Sequence, residues 1–437
     1  MEYGRKPRSI EPRIIIHGGA GNITRENLTR EAYGAYRKAL LGILDNASKA
    51  LAKHGATSLD VATYAVSLLE NDPLFNAGHG AVYTTAETHE LEASVMVSNG
   101  FRKRGVGVMK VTRAKHPILL AKEMLIRGER DDGGGAGGHC QLAGETCDAL
   151  AEQWGLELVQ PSYFWTRRRW DEHRRGLRLP ADDETYAKHK KAADGDMRSD
   201  APSNDSAAEA CFDVASDPTW DGKEYLPQGT VGCVVLDSTG TICAATSTGG
   251  LTNKLPGRIG DTPTLGAGFW AEEWYNKRPA VSPSTWSPTR HLCSILGDCL
   301  PALQGYSPIG LPRPDEPDQW DTRRAVGMSG TGNGDSFLRV NAVRTAAAIA
   351  RFMPNTPIAG QMPLLDAITA VAGPGGMLQQ SAKDRWKKTG EGEGGIIGID
   401  YKEGAGKVVA EFNCGGMFRA WVDDQGQQQM AVFRDFY

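Results

Sequence analysis

The segment from Gln228 to Gly268 gathers the residue types most able to do chemistry in this chain. Thr230 stands at the head of a β-rich run, directly after a small residue, Gly229. A second hydroxyl cluster, Thr246-Ser247-Thr248-Gly249-Gly250, lies on the returning run. After a loop come Pro256-Gly257-Arg258-Ile259-Gly260-Asp261, which set a basic and an acidic residue three apart. Clustered hydroxyls suit nucleophilic chemistry when a base lies within reach. Taken alone, the segment also fits a hairpin followed by a turn, with Arg258 and Asp261 as a local surface pair.

Common alternatives fail on spacing. Gly18-Gly19-Ala20-Gly21 has no Lys-Ser/Thr at P-loop distance and no GxGxxG opening a helix. His89-Glu90 lacks the second histidine of a zinc protease, and Ser329 lacks the GxSxG elbow. The eight cysteines form no CxxC pair, which leaves a zinc site without support.

The elements that must position these residues are legible in outline. Arg13–His17 is β-rich and runs into the Gly-rich stretch 18–21, a strand followed by a turn. Apolar residues recur at helical spacing from about Arg30 to Glu70, with a break near His54-Gly55 and Ser58 as a cap; Asn71-Asp72-Pro73 ends the second helix. Ala81–Ser98 reads as strand, turn, strand, and Val106–Val111 as a further strand. Pro117 opens a helix that runs to Arg127. Residues 131–138, nearly all Gly and Asp, form a loop. Residues 165–229, charged and poorly periodic, read as a flexible linker tail. Asp237-Ser238-Thr239-Gly240 marks a hairpin between Thr230–Leu236 and Ile242–Thr246. Ala271–Val326 is an irregular insert, Asn341–Arg351 a helix, and Ile396–Asp400 with Lys407–Phe412 a second hairpin. Strands and helices are grouped more than they alternate, which favours antiparallel sheets packed with helices, an α+β class.

Composition is that of an ordinary globular chain. Of 437 residues, 40% are hydrophobic and 23% charged, and the formal net charge is −4. A pI near 6.2 gives no reason to expect nucleic acid as a partner. No run reaches the ~18 apolar residues of a membrane span, and no signal peptide is visible. The expectation is a cytoplasmic protein with reduced thiols.

The Gln228–Gly268 segment closely resembles the plant-type asparaginases, also called isoaspartyl aminopeptidases. Four further stretches agree in order: His17-Gly18-Gly19-Ala20-Gly21, Pro73 to Val82 (PLFNAGHGAV) with Thr88 to Ser94, Thr331-Gly332-Asn333-Gly334-Asp335, and Phe412 to Trp421. Together they cover roughly two-thirds of the chain.

The resemblance implies a four-layer αββα sandwich of the N-terminal-nucleophile hydrolase type. The precursor would cleave itself between Gly229 and Thr230 into an α part (1–229) and a β part (230–437). Cleavage would free the Thr230 α-amine, whose reference pKa of ~8 lets it serve as general base to its own hydroxyl. By the same resemblance Thr248 activates the nucleophile, Asn76 positions it, and Thr331 with Gly332 forms the oxyanion hole. Arg258 would grip the substrate α-carboxylate and Asp261 its α-ammonium. The implied reaction is hydrolysis of the side-chain amide of L-asparagine or of β-aspartyl peptides. The chemistry needs no cofactor; a structural sodium ion would sit on the carbonyls of Leu69, Glu70, Asp72, Phe75, Ala77 and His79. The partner would be a small amino acid or dipeptide, and the assembly a dimer of αβ units. Glycosylasparaginase, threonine aspartase and an unprocessed non-catalytic member are the competing readings. The chain departs from the family pattern at Glu92 and Asp335, where Asp and Glu are usual, at Val97-Ser98-Asn99 and at Asn413-Cys414-Gly415. The 271–326 insert is far longer than in compact relatives.

Overall fold

Three successive isoleucines open β1 (Arg13–Gly21), and successive side chains of a strand point to opposite faces of the sheet. Ile14 and Ile16 join one buried cluster while Ile15 joins another. The same division holds on β5 (Val231–Leu236) and β6 (Ile242–Thr248), so this sheet is apolar on both faces and must be covered on both. The computed structural model that shows this describes residues 10–194, 229–277, 320–353 and 361–434.

One face is covered by helices. α1 (Arg30–Leu51), α2 (Ser58–Asn71) and α3 (Pro117–Arg127) supply Leu40, Leu44, Val66, Leu69 and Ile118 to that cluster. Thr29 and Thr57 cap α1 and α2 through their side-chain oxygens, satisfying amides that helix starts leave open. The cap of α2 is thus Thr57, one residue before the expected Ser58. The sheet is completed by β2 (Leu91–Val97), β3 (Gly105–Val111) and β4 (Gln141–Ala143), with α4 (Glu145–Gln153), α5 (Arg167–Gly176) and α6 (Asp183–Asp194) following.

The other face meets a second sheet. β7 (Phe269–Lys277), β8 (Trp320–Gly332), β9 (Gly394–Lys402) and β10 (Ala405–Phe412) form it, in the order β10-β9-β8-β7. Ile397, Ile399 and Phe412 pack there with Ile15, Val234 and Ile242. α7 (Gly334–Val340), α8 (Ala342–Phe352), α9 (Leu364–Ala372) and α10 (Met377–Ala382) lie between β8 and β9 in sequence, and α9 packs on β9 and β10. β11 (Gly416–Val422) and β12 (Gln428–Ala431) return to the first sheet, whose order among the described residues is β12-β11-β1-β5-β6-β2-β3-β4. Pairing there is antiparallel except for the parallel β3–β4 pair. The class is mixed α and β with two sheets. Among the described residues, no helix is long and apolar enough to cross a membrane. On β7 and β8, Arg324 lies over the Trp274 ring, 5.4 Å from its centroid.

Three expectations need correction. Gly18–Gly21 is not a turn: β1 continues through it, with a register slip between His17 and Gly19. Residues 81–90 form no strand, only an isolated bridge between Thr84 and Lys254. The tail read as a flexible linker over 165–229 is helical over 167–176 and 183–194, and its remainder from 195 to 228 lies outside the described residues. Its periodicity is hidden because the buried side of α5 is aromatic and cationic. Trp170, Arg169 and His173 are all buried there, and Trp170 stacks on Trp165 with centroids 5.2 Å apart. Most of the 271–326 insert, and Cys211, Cys293 and Cys299, also lie outside the described residues. Trp170→Ala is expected to lower unfolding free energy by about 3–5 kcal/mol, the usual cost of emptying a large aromatic site. Denaturant titration checks this; an unchanged midpoint would mean the segment is not docked.

Candidate active site

Thr230 is placed by backbone packing on its N-terminal side. Gly229 lies against Gly19 and Ala20 so closely that a Cβ on Gly229 would collide with Gly19 Cα and Ala20 N. Gly19 itself has φ +120°, a left-handed value that favours glycine, and a Cβ there would stand 3.1 Å from Gly229 Cα. The glycines of β1 are therefore a bed for the 229–230 peptide.

Around this peptide the structure gathers hydroxyls. The buried Thr230 Oγ1 lies 3.0 Å from Oγ1 of Thr262, which is fully buried. Val231 pairs with Ser247, so the next step of the register brings Thr230 beside Thr248. The Thr248 hydroxyl accepts from Gly250 N at 3.0 Å. Thr331 Oγ1 accepts from Ala20 N at 3.2 Å, which leaves its own proton to donate. Gly332 has φ +142° and sits where a Cβ would meet Gly394 and the Glu393 carbonyl. Below Thr230, His17 Nε2 is 2.7 Å from Ser329 Oγ, which lies 3.4 Å from Thr246 Oγ1. Burial pulls the His17 pKa down to about 3, with the Thr230 backbone pulling the other way, so the ring is neutral at ordinary pH.

Asn76 is tied to the turn that follows Thr248. Its Nδ2 donates to Gly250 O at 2.8 Å, its Oδ1 accepts from Val82 N at 3.1 Å, and its carbonyl accepts from Gly249 N at 2.9 Å. It clamps the turn after β6. Among the described hydrogen bonds none joins it to Thr230.

Arg258 and Asp261 come together over Gly334. A side chain at Gly334 would meet Asp261 Oδ1 at 2.5 Å and Arg258 Nη2 at 2.9 Å. Nη2 also lies 3.3 Å from Asp335 Oδ2. Among the described residues, Arg258 Nε and Nη2 and Asp261 Oδ2 have no hydrogen-bond partner although all three atoms are buried. Buried groups with unused capacity of both signs suit a ligand that carries both charges. Burial raises the Asp261 pKa to about 7; Arg258 pulls it down while Glu92 and Asp335 add to the rise. Glu92, fully buried, accepts from Gly260 N at 3.0 Å and so fixes the peptide between the two. Its pKa is raised by burial, against the pull of Lys254, whose own pKa burial lowers.

The structure thus brings Thr230, Thr248, Thr331 and Gly332 to one region and Arg258 and Asp261 to another joined to it by Thr262. Thr262, Glu92 and the His17–Ser329 pair escaped sequence reasoning as site residues. For Thr262 one signal existed: a hydroxyl directly after Asp261.

Residues 10–284 match the profile of the family described as Asparaginase. The chain is similar to the isoaspartyl peptidase of Salmonella typhimurium, 31% identical over 93% of this chain and 94% of that protein. It is equally similar to the isoaspartyl peptidase of Escherichia coli, 31% identical over 93% of this chain and 92% of that protein. The isoaspartyl peptidase/L-asparaginase of Mus musculus is 30% identical over 62% of this chain and 65% of its own length.

Two outcomes are expected. Thr262→Val keeps shape but removes the hydroxyl, and should slow any reaction begun by Thr230 Oγ1 about tenfold, the worth of one hydrogen bond; Thr262→Ser should be near wild type. Timed intact-mass measurement of chain cleavage reads both. Asp261, neutral below about pH 7, gains its charge as pH rises through that value. The sign follows: the raised pKa favours folding at low pH and that contribution is lost above about 7, while attraction for an ammonium group grows. Affinity for a zwitterionic amino acid should therefore rise through pH 7 and go flat in Asp261→Asn, as calorimetric titration would show.

Proposed function

The chain belongs to the asparaginase family, and from that premise we propose that it is an amide hydrolase that cuts itself before Thr230 and then hydrolyses L-asparagine or β-aspartyl peptides. The observation that carries the reading is the open hydrogen-bonding capacity of buried atoms on Arg258, itself ion-paired to Asp335, and on Asp261, which directly precedes the threonine that touches Thr230. The layering we propose is αββα, with helices outside and the two sheets face to face.

In the precursor, Thr230 Oγ1 attacks the Gly229 carbonyl carbon. The C–N bond breaks as the acyl group moves to oxygen, and water releases Gly229 as a carboxylate and Thr230 as a free amine. The tight seat of Gly229 on β1 holds that carbonyl in place. In the mature enzyme the unprotonated amine takes the hydroxyl proton as Oγ1 attacks the side-chain amide carbon of the substrate. The oxyanion is received by the Thr331 hydroxyl, whose proton is free, and by the Gly332 N–H, each such donor worth about 3 kcal/mol. The proton passes to the leaving nitrogen, and water then hydrolyses the β-aspartyl ester. Thr248 lies beside the nucleophile to polarise it. Asn76 acts by holding the turn that carries Gly249 and Gly250. Arg258 takes the α-carboxylate and Asp261 the α-ammonium, which sets the scissile amide over Thr230.

We propose that the loop after α2 holds a sodium ion. The Glu70 carbonyl lies so close to Gly78, and the Phe75 carbonyl to Gly80, that a Cβ on either glycine would collide with it, and Glu70 O also accepts from His79 N at 2.7 Å. Carbonyls of Leu69, Glu70, Asp72, Phe75, Ala77 and His79 would hold the ion, whose contribution is to stiffen the loop bearing Asn76. The assembly we propose is a dimer of αβ units acting on a small amino acid or dipeptide.

Incubation at neutral pH followed by intact mass and N-terminal sequencing tests the reading. Wild type should yield a fragment beginning Thr230-Val231-Gly232-Cys233-Val234, and Thr230→Ala should stay whole and hydrolyse nothing. Turnover by uncut Thr230→Ala would overturn it.

A further inference from the structure

α5 belongs to none of the motifs used above, yet it reaches both loops of the site. Arg169 is buried, and its Nε donates to Gly80 O at 2.7 Å, at the end of the loop that holds Asn76. One turn later His173, fully buried, meets the substrate loop. Its Nδ1 is 2.5 Å from Asn253 Oδ1, and Asn253 Nδ2 donates back to the His173 carbonyl at 3.1 Å. An amide oxygen only accepts, so Nδ1 carries the proton of this reciprocal pair.

Asn253 needs such a hold. Its φ is +59°, a left-handed value that asparagine adopts more readily than most residues but less readily than glycine, so contacts that fix the side chain help to hold the turn. Its amide N–H donates to Tyr83 O at 2.8 Å. From there to Arg258 polar contacts anchor the loop: Lys254 Nζ donates to Glu90 O at 2.6 Å and Gly257 N to Glu90 Oε2 at 2.7 Å. Leu255, 70% exposed, adds no burial to hold the loop. The position of Arg258 therefore depends on a few hydrogen bonds, and those at the start of the loop come from the 83–85 stretch through the backbone and from α5 through the Asn253 side chain.

We propose that His173 is a positioning residue for substrate binding: through Asn253 it sets the 251–258 loop, and with it the reach of Arg258 to the substrate carboxylate. This rests on the role given to Arg258 above. The helix thereby lies in the part of the chain before Thr230 and governs a loop in the part after it.

The test uses the full chain with Asn253→Gly, His173→Leu and the double variant. Glycine accepts the left-handed backbone without strain, so it removes the brace and spares the turn. Each single variant should raise KM for L-asparagine about tenfold with kcat within about twofold, the mark of lost uniform binding. The double variant should be no worse than either single, since both remove one pair. Hydrogen exchange of peptides spanning 251–258 should quicken in Asn253→Gly. Wild-type KM and exchange in Asn253→Gly would overturn the proposal, as would a change in thermal stability alone. Should His173→Leu fail to fold, Asn253→Gly still decides. If the wild-type enzyme hydrolyses no amide, the proposed function fails, and exchange alone decides the brace: faster exchange sustains it and unchanged exchange sinks it.

Discussion

Backbone packed on backbone is the constraint from which the site follows. Gly229 meets Gly19 and Ala20 with no room for a Cβ on Gly229 and little for one on Gly19. That approach fixes Thr230 directly ahead of β5, and β5 in register with β6 sets Thr248 beside it. It also brings Ala20 N to Thr331 Oγ1, so β1 touches both the nucleophile's peptide and a candidate oxyanion donor. A Cβ on Gly229 would push these apart at once. The same economy recurs at Gly232, where a Cβ would collide with His17 and Ser329, and at Gly249, where it would meet Asn76.

The second organising theme is buried charge. Asp261, Glu92 and Lys254 are buried beside Arg258, and the opposite charges near each limit what burial does to these three. Burial alone pushes Asp261, Glu92 and Lys254 towards their neutral forms. Held together, they leave a guanidinium and a carboxyl whose free hydrogen-bonding capacity faces the same glycine, Gly334. Glu92, a methylene longer than the aspartate usual at its position, still reaches the Gly260 amide.

Sequence reasoning reached the two hairpins, the helices α1 to α3 and α8, and the glycines of the site, because period-two and helical hydrophobic patterns and turn residues are local signals. It missed contacts that join distant segments. Thr262 on Thr230, His17 on Ser329 and Asn76 on Gly250 span 32, 312 and 174 positions, and no local spacing announces them. The strand expected near 81–83 failed because Tyr83 and its neighbours pair with the 253–254 loop instead of a strand. α5 was hidden because arginines at 167–169 look solvated, although Arg169 is buried and ion-paired to Glu172.

The strand order carries one more consequence. β1 lies between β11 and β5, both of which come after Thr230 in sequence. A chain cut at the 229–230 bond would therefore be two polypeptides sharing one sheet, each completing the other's ladder of hydrogen bonds. Unfolding would no longer be an intramolecular event: two strangers would have to meet again, so stability would rise with protein concentration. A protein so divided folds once as a single chain and afterwards survives by the height of its unfolding barrier, a kinetic rather than an equilibrium persistence.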